Sequence, residues 1–276
     1  MNFSNLLIHC SAYSKLTTQP KSAADKAAGV MSATTKAVVR ALYIEERYSR
    51  KKEIMSKHME KGILQENAAI ELYSKFKKKK FIKNTIRIED KYMTGEPDLT
   101  DAENILETIQ GVDIKCVWTI HSFPFPDDKL DEKYEWQNHG YMRLTGAKSW
   151  VTAYCLVNAP AHLITAEKKS LWYKIGQPEQ IDLTDVEKYQ QWEIDLYLDY
   201  IEKCIEIEKN MIYNMADFKR ENPNFDLDCT DWHYDIPINE RVREFVTLRD
   251  DEKINSMPAV VEGVRNYLTQ LNMGGL

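Results

Sequence analysis

The chain has 276 residues, of which 43% are hydrophobic and 29% are charged, a composition that excludes a disordered or fibrous protein. No stretch approaches the roughly 18 apolar residues of a membrane-spanning helix, and no basic flank precedes the short apolar run at the N-terminus, so we expect a cytoplasmic protein without a membrane partner. The net charge is −6, but the charges are unevenly distributed along the chain. Residues 1–91 carry 19 Lys and Arg against 9 Asp and Glu. A basic region of this kind suits binding to a phosphate backbone.

Residues 1–30 are rich in Ser, Thr, Ala and Lys and show little periodicity, which predicts an irregular N-terminal arm. The spacing of apolar residues then predicts a first helix over about 32–48. A second helical stretch follows over 51–76, and we expect an interruption around Gly62.

The middle of the chain mixes strand and helix patterns. Short runs of β-type residues occur at 85–88, 112–117 and 151–157. A helical pattern over 134–147 lies between the last two runs. Helix, strands, helix and strand in this order predict an α/β (α+β) core with a mixed central sheet flanked by helices.

The C-terminal part of the chain is expected to be mainly helical. Residues 184–220 have apolar side chains at helical spacing with acidic residues between them, which predicts a long packing helix. A short apolar stretch near 236–246 and a final helix around 258–271 follow. Because no linker or repeat is evident, we expect one domain, with a core over 31–180 and a helical elaboration over 181–276.

Cysteine and histidine patterns exclude several kinds of site. The cysteines are odd in number, scattered and never arranged as C-x-x-C, which predicts buried thiols and no disulfide, zinc or iron–sulfur framework: Cys10, Cys116, Cys155, Cys204 and Cys229. The histidines show no H-E-x-x-H spacing, so a histidine-based hydrolase is unsupported: His9, His58, His121, His139, His162 and His233.

The run V-D-I-K-C-V at 112–117 carries the first candidate chemistry. Side chains alternate along a strand, so Asp113 and Lys115 project from one side while their apolar neighbours face the other. The segment projects an acid and an ammonium group together. An exposed ion pair on a half-buried strand would give the same pattern.

A second acid precedes this run. Gly95 and Pro97 bend the chain and place Asp98 at the mouth of a turn, where a hairpin would bring it beside Asp113. Two close carboxylates repel one another unless a proton or a cation separates them. The pair therefore indicates a divalent metal.

Two helical segments add further candidates. Helical spacing puts Glu66 on a stripe with Ile70 and Tyr73, which predicts that its carboxylate points toward the core and needs a cation, a donor or a metal. A structural salt bridge is the alternative. Gln137 and Tyr141 are four residues apart and share a helix face; Gln137 is suited to DNA phosphate or the attacking water, and Tyr141 equally to packing.

In chain order these motifs read G-x-x-x-E, G-x-P-D, D-x-K and Q-x-x-x-Y. Together they resemble the PD-(D/E)XK nuclease superfamily, and within it the phage-type recombination exonucleases of the lambda exonuclease and YqaJ group. The match runs from about residue 38 to 160. The resemblance implies a restriction-endonuclease-like fold and a metal-dependent deoxyribonuclease that degrades linear duplex DNA from its ends, 5′ to 3′, in phage or prophage recombination in the host cytoplasm.

The resemblance also implies a role for each matched residue. Asp98 and Asp113 would ligate Mg²⁺ with the backbone carbonyl of Ile114, Glu66 would complete the site directly or through water, and Mn²⁺ would substitute. Hard oxygen ligands suit these ions. Lys115 would orient or deprotonate the attacking water; carboxylates and metal pull its pKa in opposite directions, which leaves its protonation state open. Family members often have Glu at the position of Asp113.

Substrate contacts and partners are less determined. A pocket for a 5′-phosphate is expected near the start of the first helix, where an ordinary N-cap and solvated surface are the alternative. Its candidate residues are Ser32, Thr34, Thr35, Lys36 and Arg40. Tyr141 of the later helix is a separate candidate for contact with DNA. The family analogy suggests a single-strand annealing partner and a ring-shaped trimer. A restriction or junction-resolving endonuclease and a catalytically silent DNA-binding module remain alternatives.

Overall fold

The structure is a computed structural model that describes residues 3–52, 55–228 and 235–274. Its strands form two sheets, one in the order β1-β3-β2 and one in the order β4-β5-β6-β7. Each sheet contains a parallel and an antiparallel pairing, since β1–β3 and β5–β6 are parallel while the other pairs are antiparallel. The predicted α/β class with mixed sheet and flanking helices is confirmed.

The strands are β1 Ile8–His9, β2 Ile88–Glu89, β3 Met93–Gly95, β4 Leu99–Thr100, β5 Gln110–Cys116, β6 Ser149–Cys155 and β7 Val242–Leu248. The α-helices are α1 Ala23–Ala27, α2 Ala33–Tyr48, α3 Lys57–Lys77, α4 Glu132–Thr145, α5 Ala161–Lys174, α6 Gln191–Met211, α7 Met215–Glu221 and α8 Asp251–Gly274. Short 3-10 helices connect several of them.

The prediction of an irregular N-terminal arm is wrong. β1 pairs with β3, and a 3-10 helix follows over Cys10–Leu16. Ile8 and Tyr13 are buried in a cluster that also contains Val261 and Leu268 of α8, so the two ends of the chain share one core. Within the N-terminal segment the buried residues follow one another at intervals of two or three positions, so they show neither a strand nor a helix period: Phe3, Leu6, Ile8, Cys10, Tyr13 and Leu16.

The helical predictions near the N-terminus hold in part. α2 begins where expected, with the Ser32 hydroxyl accepting a hydrogen bond from the backbone N–H of Thr35. α3 continues unbroken through Gly62, so the predicted interruption is wrong; one helical glycine costs only about 1 kcal/mol. Residues 53–54 of the predicted stretch lie outside the described residues. A strand was expected over 85–88, whereas β2 covers only Ile88–Glu89.

The four-stranded sheet has an apolar layer on one face and a mixed layer of apolar and polar side chains on the other. Val112 and Ile114 of β5 pack against Ile70 and Tyr73 of α3, which covers one face. On the other face, Asn138 of α4 donates to the hydroxyls of two threonines, on β6 and β7, at 2.9 and 2.8 Å. Alternation along β5 therefore directs Asp113 toward α4, away from the apolar layer.

Close packing at the start of β5 requires a residue without a side chain. Gly111 pairs with Trp150 of β6, and a Cβ atom at Gly111 would lie 2.2 Å from the indole. Trp150 is itself fully buried. The glycine therefore allows the start of β5 to lie close against the Trp150 indole.

The C-terminal region differs from prediction in its helix ends. The long helix expected over 184–220 is divided into α6 and α7, and Asn214 caps α7 by accepting from the N–H of Asp217. α8 begins at Asp251 and passes through Pro258 rather than starting there. Among the described residues, no helix combines the length and apolar character needed to cross a membrane.

The cysteines within the described ranges are free thiols, as expected: Cys10, Cys116, Cys155 and Cys204. Cys229 and His233 lie outside the described residues.

Candidate active site

A cleft of about 890 Å³ lies between α3, the second half of β5 and α4. Its lining contains all five candidate catalytic side chains: Glu66, Asp98, Asp113, Lys115 and Gln137. Residues from four separate segments of the chain therefore meet at one surface.

Asp113 and Lys115 form the centre of this cleft. They project from the same face of β5, as the alternation predicted, and Lys115 Nζ lies 2.6 Å from Asp113 Oδ2. Asp113 is 1% exposed. The pair therefore joins a buried carboxylate to an ammonium group that is 22% exposed at the cleft, and the alternative of an exposed surface pair does not apply.

Asp98 joins them through the β4–β5 hairpin. It directly precedes β4, whose Leu99 pairs with Val112, and its Oδ2 accepts a hydrogen bond of 2.6 Å from the backbone N–H of Ile114. The predicted proximity of Asp98 to Asp113 is thus confirmed. Because the bond is to the backbone of β5, the position of Asp98 is fixed relative to the strand itself.

Burial and mutual repulsion perturb both carboxyl groups. Burial, followed by the neighbouring Asp113 carboxylate, raises the pKa of Asp98 to about 7, although Lys115 and the Ile114 N–H act in the opposite direction. Burial also raises the pKa of Asp113 against the influence of Lys115. In the metal-free protein the site therefore holds its two negative charges at a cost in free energy.

Lys115 remains an ammonium group in this environment. Burial alone would lower its pKa, but attraction to Asp113 and Asp98 outweighs burial and raises it. The ammonium also lies 4.8 Å from the centre of the Tyr134 ring, a cation–π distance. The open question of its protonation state is answered for the metal-free protein in favour of the charged form.

Gln137 orients the Asp113 carboxylate from α4. Its Nε2 donates to Asp113 Oδ1 at 3.0 Å and to the Tyr141 hydroxyl at 2.9 Å, so the two helix residues do share one face. The Tyr141 hydroxyl in turn donates to the Glu96 carbonyl at 3.4 Å. Both side chains are thus engaged within the protein, and their contacts with DNA or water stay predictions.

Glu66 does not point toward the core, so that expectation is wrong. Its side chain faces the cleft, is 25% exposed and pairs with Lys83 at 2.7 Å. Ile63, on the same stripe, is also exposed, whereas Ile70 and Tyr73 are buried. Only the second half of α3 covers the sheet, and the first half forms a wall of the cleft.

The carboxylates of the site are chemically suited to bind a divalent metal ion. Two desolvated carboxylates with raised pKa values are the hard oxygen donors that Mg²⁺ prefers. Asp113 Oδ2 is buried and, among the described residues, accepts no hydrogen bond of good geometry. Within residues 3–52, 55–228 and 235–274, however, no three His, Cys, Asp or Glu side chains are placed to hold one ion, and Glu66 is paired with Lys83 instead.

Sequence reasoning assigned no role to two lysines around the site. Lys61 is completely buried and donates to the Trp118 carbonyl at 3.0 Å, and burial lowers its pKa to about 7. Lys83, the partner of Glu66, lies in the connection between α3 and β2. No spacing rule identifies either contact, because each one joins segments that are distant in the chain.

The predicted phosphate-pocket residues lie outside the cleft. Ser32 and Thr35 are buried in a hydroxyl cluster with Thr18, and Thr35 donates to the Lys15 carbonyl at 3.1 Å. Thr18 and Lys15 line a neighbouring cavity of about 500 Å³ that shares Asp131 and Lys133 with the cleft. The three other α2 candidates line neither space: Thr34, Lys36 and Arg40. A DNA-binding role for this helix stays a prediction.

Comparison with solved structures relates the whole chain to exonucleases. A phage-related exonuclease from Haemophilus somnus 129PT superimposes with a TM-score of 0.65 and 24% sequence identity, covering 98% of this chain and 96% of the other. The alkaline exonuclease LHK-Exo from Laribacter hongkongensis matches with a TM-score of 0.47 and 11% identity over 98% and 95% of the two chains. LHK-Exo in complex with dAMP gives 0.49 and 13% over 96% and 88%.

No protein-family model and no curated protein sequence matches the chain. The first structural match establishes a shared fold over nearly the full length. The resemblance found in the motifs is therefore confirmed at the level of the fold.

Proposed function

We propose that this protein is a Mg²⁺-dependent deoxyribonuclease, and specifically an exonuclease that hydrolyses phosphodiester bonds from the ends of linear duplex DNA. The observation that carries the proposal is the close grouping of Asp98, Asp113 and Lys115 in a cleft, on a fold shared with a phage-related exonuclease. A 5′-to-3′ direction and a role in phage or prophage recombination belong to the same proposal.

Asp98, Asp113 and the Ile114 carbonyl would hold the Mg²⁺ ion, with Glu66 as an additional ligand directly or through water. When bound, the ion would lower the pKa of a coordinated water and offset negative charge at the phosphate. Mn²⁺, which accepts the same oxygen donors, would substitute. The raised pKa values of the two aspartates mean that protons must leave as the ion binds.

Lys115 would act as a charged donor in this reaction. Its ammonium group is held between Asp113 and the Tyr134 ring, so it has a fixed direction and needs little reorganisation. It would orient the attacking water or contact a phosphate oxygen. Gln137 holds the Asp113 carboxylate in the orientation that leaves Oδ2 toward Lys115.

Substrate binding would draw on the basic N-terminal third. Residues 1–91 carry 19 Lys and Arg, and the first half of α3, one wall of the cleft, belongs to this region. Phosphate contacts of this type give affinity that falls steeply with salt. Assembly as a ring and binding of a single-strand annealing protein are further parts of the proposal that rest on family analogy.

The test is Mg²⁺-dependent cleavage of 5′-end-labelled linear duplex DNA beside covalently closed circular DNA. We expect loss of linear DNA only, and Asp113→Ala should lower the rate at least about a thousandfold, or roughly 4 kcal/mol of transition-state stabilisation, with DNA binding retained. Glu103→Ala, an exposed acid in the β4–β5 connection, is the matched control and should cleave normally.

Three outcomes would contradict parts of the proposal. Protein that binds linear DNA but leaves it intact with Mg²⁺ would indicate a silent binding module. Cleavage of circular or branched DNA would indicate an endonuclease. Unchanged cleavage by Asp113→Ala would remove Asp113 from the reaction.

A further inference from the structure

The cation that Glu66 holds in this structure is a lysine. Lys83 Nζ donates to Glu66 Oε2 at 2.7 Å, although the residues are 17 positions apart in the chain. The Lys83 side chain is 40% exposed and that of Glu66 is 25% exposed. The contact is therefore formed at the edge of the cleft by the connection that leaves α3, and it is accessible to ions in solution.

The same connection carries a second cation in a comparable position. Arg87 pairs with the Glu96 carboxylate at 3.0 Å. The carboxylates of Glu96 and Asp98 also attract Lys83 at longer range. Lys83 and Arg87 thus flank the acidic group, but of these two cations only Lys83 contacts a carboxylate in the proposed set of metal ligands.

An ammonium group and a divalent ion exclude one another at one carboxylate oxygen. Both need the same lone pairs, and their positive charges repel at short distance. This explains a feature of the site: the three acids proposed as metal ligands line the cleft, yet Glu66 is turned to Lys83 and the described residues contain no three-ligand group.

We propose that Lys83 is a positioning residue that holds Glu66 while the metal is absent and competes with the divalent ion for its carboxylate. The inference rests on the proposed function, since it assumes that Glu66 is a metal ligand. A half-exposed ion pair of this kind contributes at most about 1 kcal/mol, which corresponds to roughly a fivefold change in an equilibrium constant. Lys83 therefore weakens metal binding moderately and does not prevent it.

Two features of Lys83 fit this role better than that of a structural ion pair. The residue lies in a connection without regular secondary structure, and its exposed side chain can leave Glu66 without opening a cavity. The buried pairs of this protein differ: Lys168, for example, contacts both Glu208 and Asp228 and is 13% exposed.

The experiment measures Mn²⁺ binding to the DNA-free protein by the electron paramagnetic resonance signal of free Mn²⁺. Lys83→Met should bind Mn²⁺ about three to five times more tightly than the unaltered protein. Arg87→Met removes one positive charge from the same connection without touching Glu66, and Lys75→Met breaks the Lys75–Glu71 pair on α3; both should change affinity less than about twofold.

A double-mutant cycle separates direct competition for the Glu66 carboxylate from the general repulsion between Lys83 and the metal ion. Glu66→Gln removes one carboxylate, which is both the proposed metal ligand and the partner of Lys83. Adding Lys83→Met to this variant should therefore change Mn²⁺ affinity by less than about twofold. Urea unfolding checks that each variant is folded, and Lys83→Gln provides a second replacement of similar length.

The outcomes distinguish this inference from the proposed function. If the unaltered protein binds Mn²⁺ and cleaves DNA but Lys83→Met binds Mn²⁺ with equal affinity, the competition is refuted and the nuclease proposal stands. Equal gains in Lys83→Met and Arg87→Met, or a full gain in the Glu66→Gln background, also refute it. If the unaltered protein neither binds Mn²⁺ nor cleaves DNA, both proposals fail.

Discussion

Replacing Asp98 with Asn should stabilise the metal-free protein at alkaline pH. In the folded protein, burial and the Asp113 carboxylate raise the pKa of Asp98 to about 7, whereas an Asp in the unfolded chain titrates near about 3.9. Between these values the folded chain keeps a proton that the unfolded chain has released. The free energy of unfolding therefore decreases as pH rises through this window and levels off above it.

The pKa difference sets an upper limit on the effect. An interval of about 3 pH units corresponds to ~4 kcal/mol at about 1.4 kcal/mol per unit. Asp98 is only partly buried and titrates together with Asp113, so we expect about 1–3 kcal/mol to be observed. An Asn side chain keeps the shape of Asp98 and can still accept the hydrogen bond from Ile114.

The assay is urea unfolding in the presence of a chelator, at about pH 4.5 and about pH 8.5. Asp98→Asn should differ little from the unaltered protein at the lower pH and be more stable at the higher one. Asp127→Asn, which removes an exposed carboxylate, controls for the change in net charge. A stability difference for Asp98→Asn that is the same at both pH values would refute the reasoning.

Three further predictions concern the site and the sheet. Gln137→Ala removes the donor that orients Asp113 and should reduce Mg²⁺ affinity or cleavage about 10- to 100-fold, measured by titration and by kcat; an unchanged value would exclude a supporting role. Because Asp98 must lose a proton to bind metal, Mg²⁺ affinity should fall about tenfold per pH unit below about 7, and calorimetry showing a flat profile there would contradict this. Gly111→Ala places a Cβ 2.2 Å from the neighbouring indole and should lower the free energy of unfolding by about 1–3 kcal/mol or more. The control is Gly263→Ala in α8, whose Cβ meets nothing within 4 Å and which should raise the free energy of unfolding by up to about 1 kcal/mol. Equal effects of the two substitutions would contradict the packing argument.

The sequence predicts those parts of the site that depend on local periodicity. Alternation along a strand is sufficient to place Asp113 and Lys115 together, and the hairpin between β4 and β5 brings Asp98 beside them. Helical spacing likewise pairs Gln137 with Tyr141. In each case the relevant neighbours are within one element or one hairpin.

Contacts between distant elements could not be obtained this way. The direction of Glu66 depends on where α3 passes beyond the sheet, and its partner Lys83 lies in a connection with no periodic pattern. The N-terminal arm was misjudged for the same reason, because Tyr13 is buried by α8, whose sequence position is far away. Periodicity identifies an apolar face, but it does not identify what covers that face.

The most direct test of the account is a crystal of the protein soaked with Mn²⁺ and measured for anomalous scattering. We expect a peak at roughly 2.0–2.3 Å from carboxylate oxygens of both Asp98 and Asp113, close to the Ile114 carbonyl. Saturating Mn²⁺ that gives no peak there, or a peak that touches neither aspartate, would contradict the claim that these acids form a metal site.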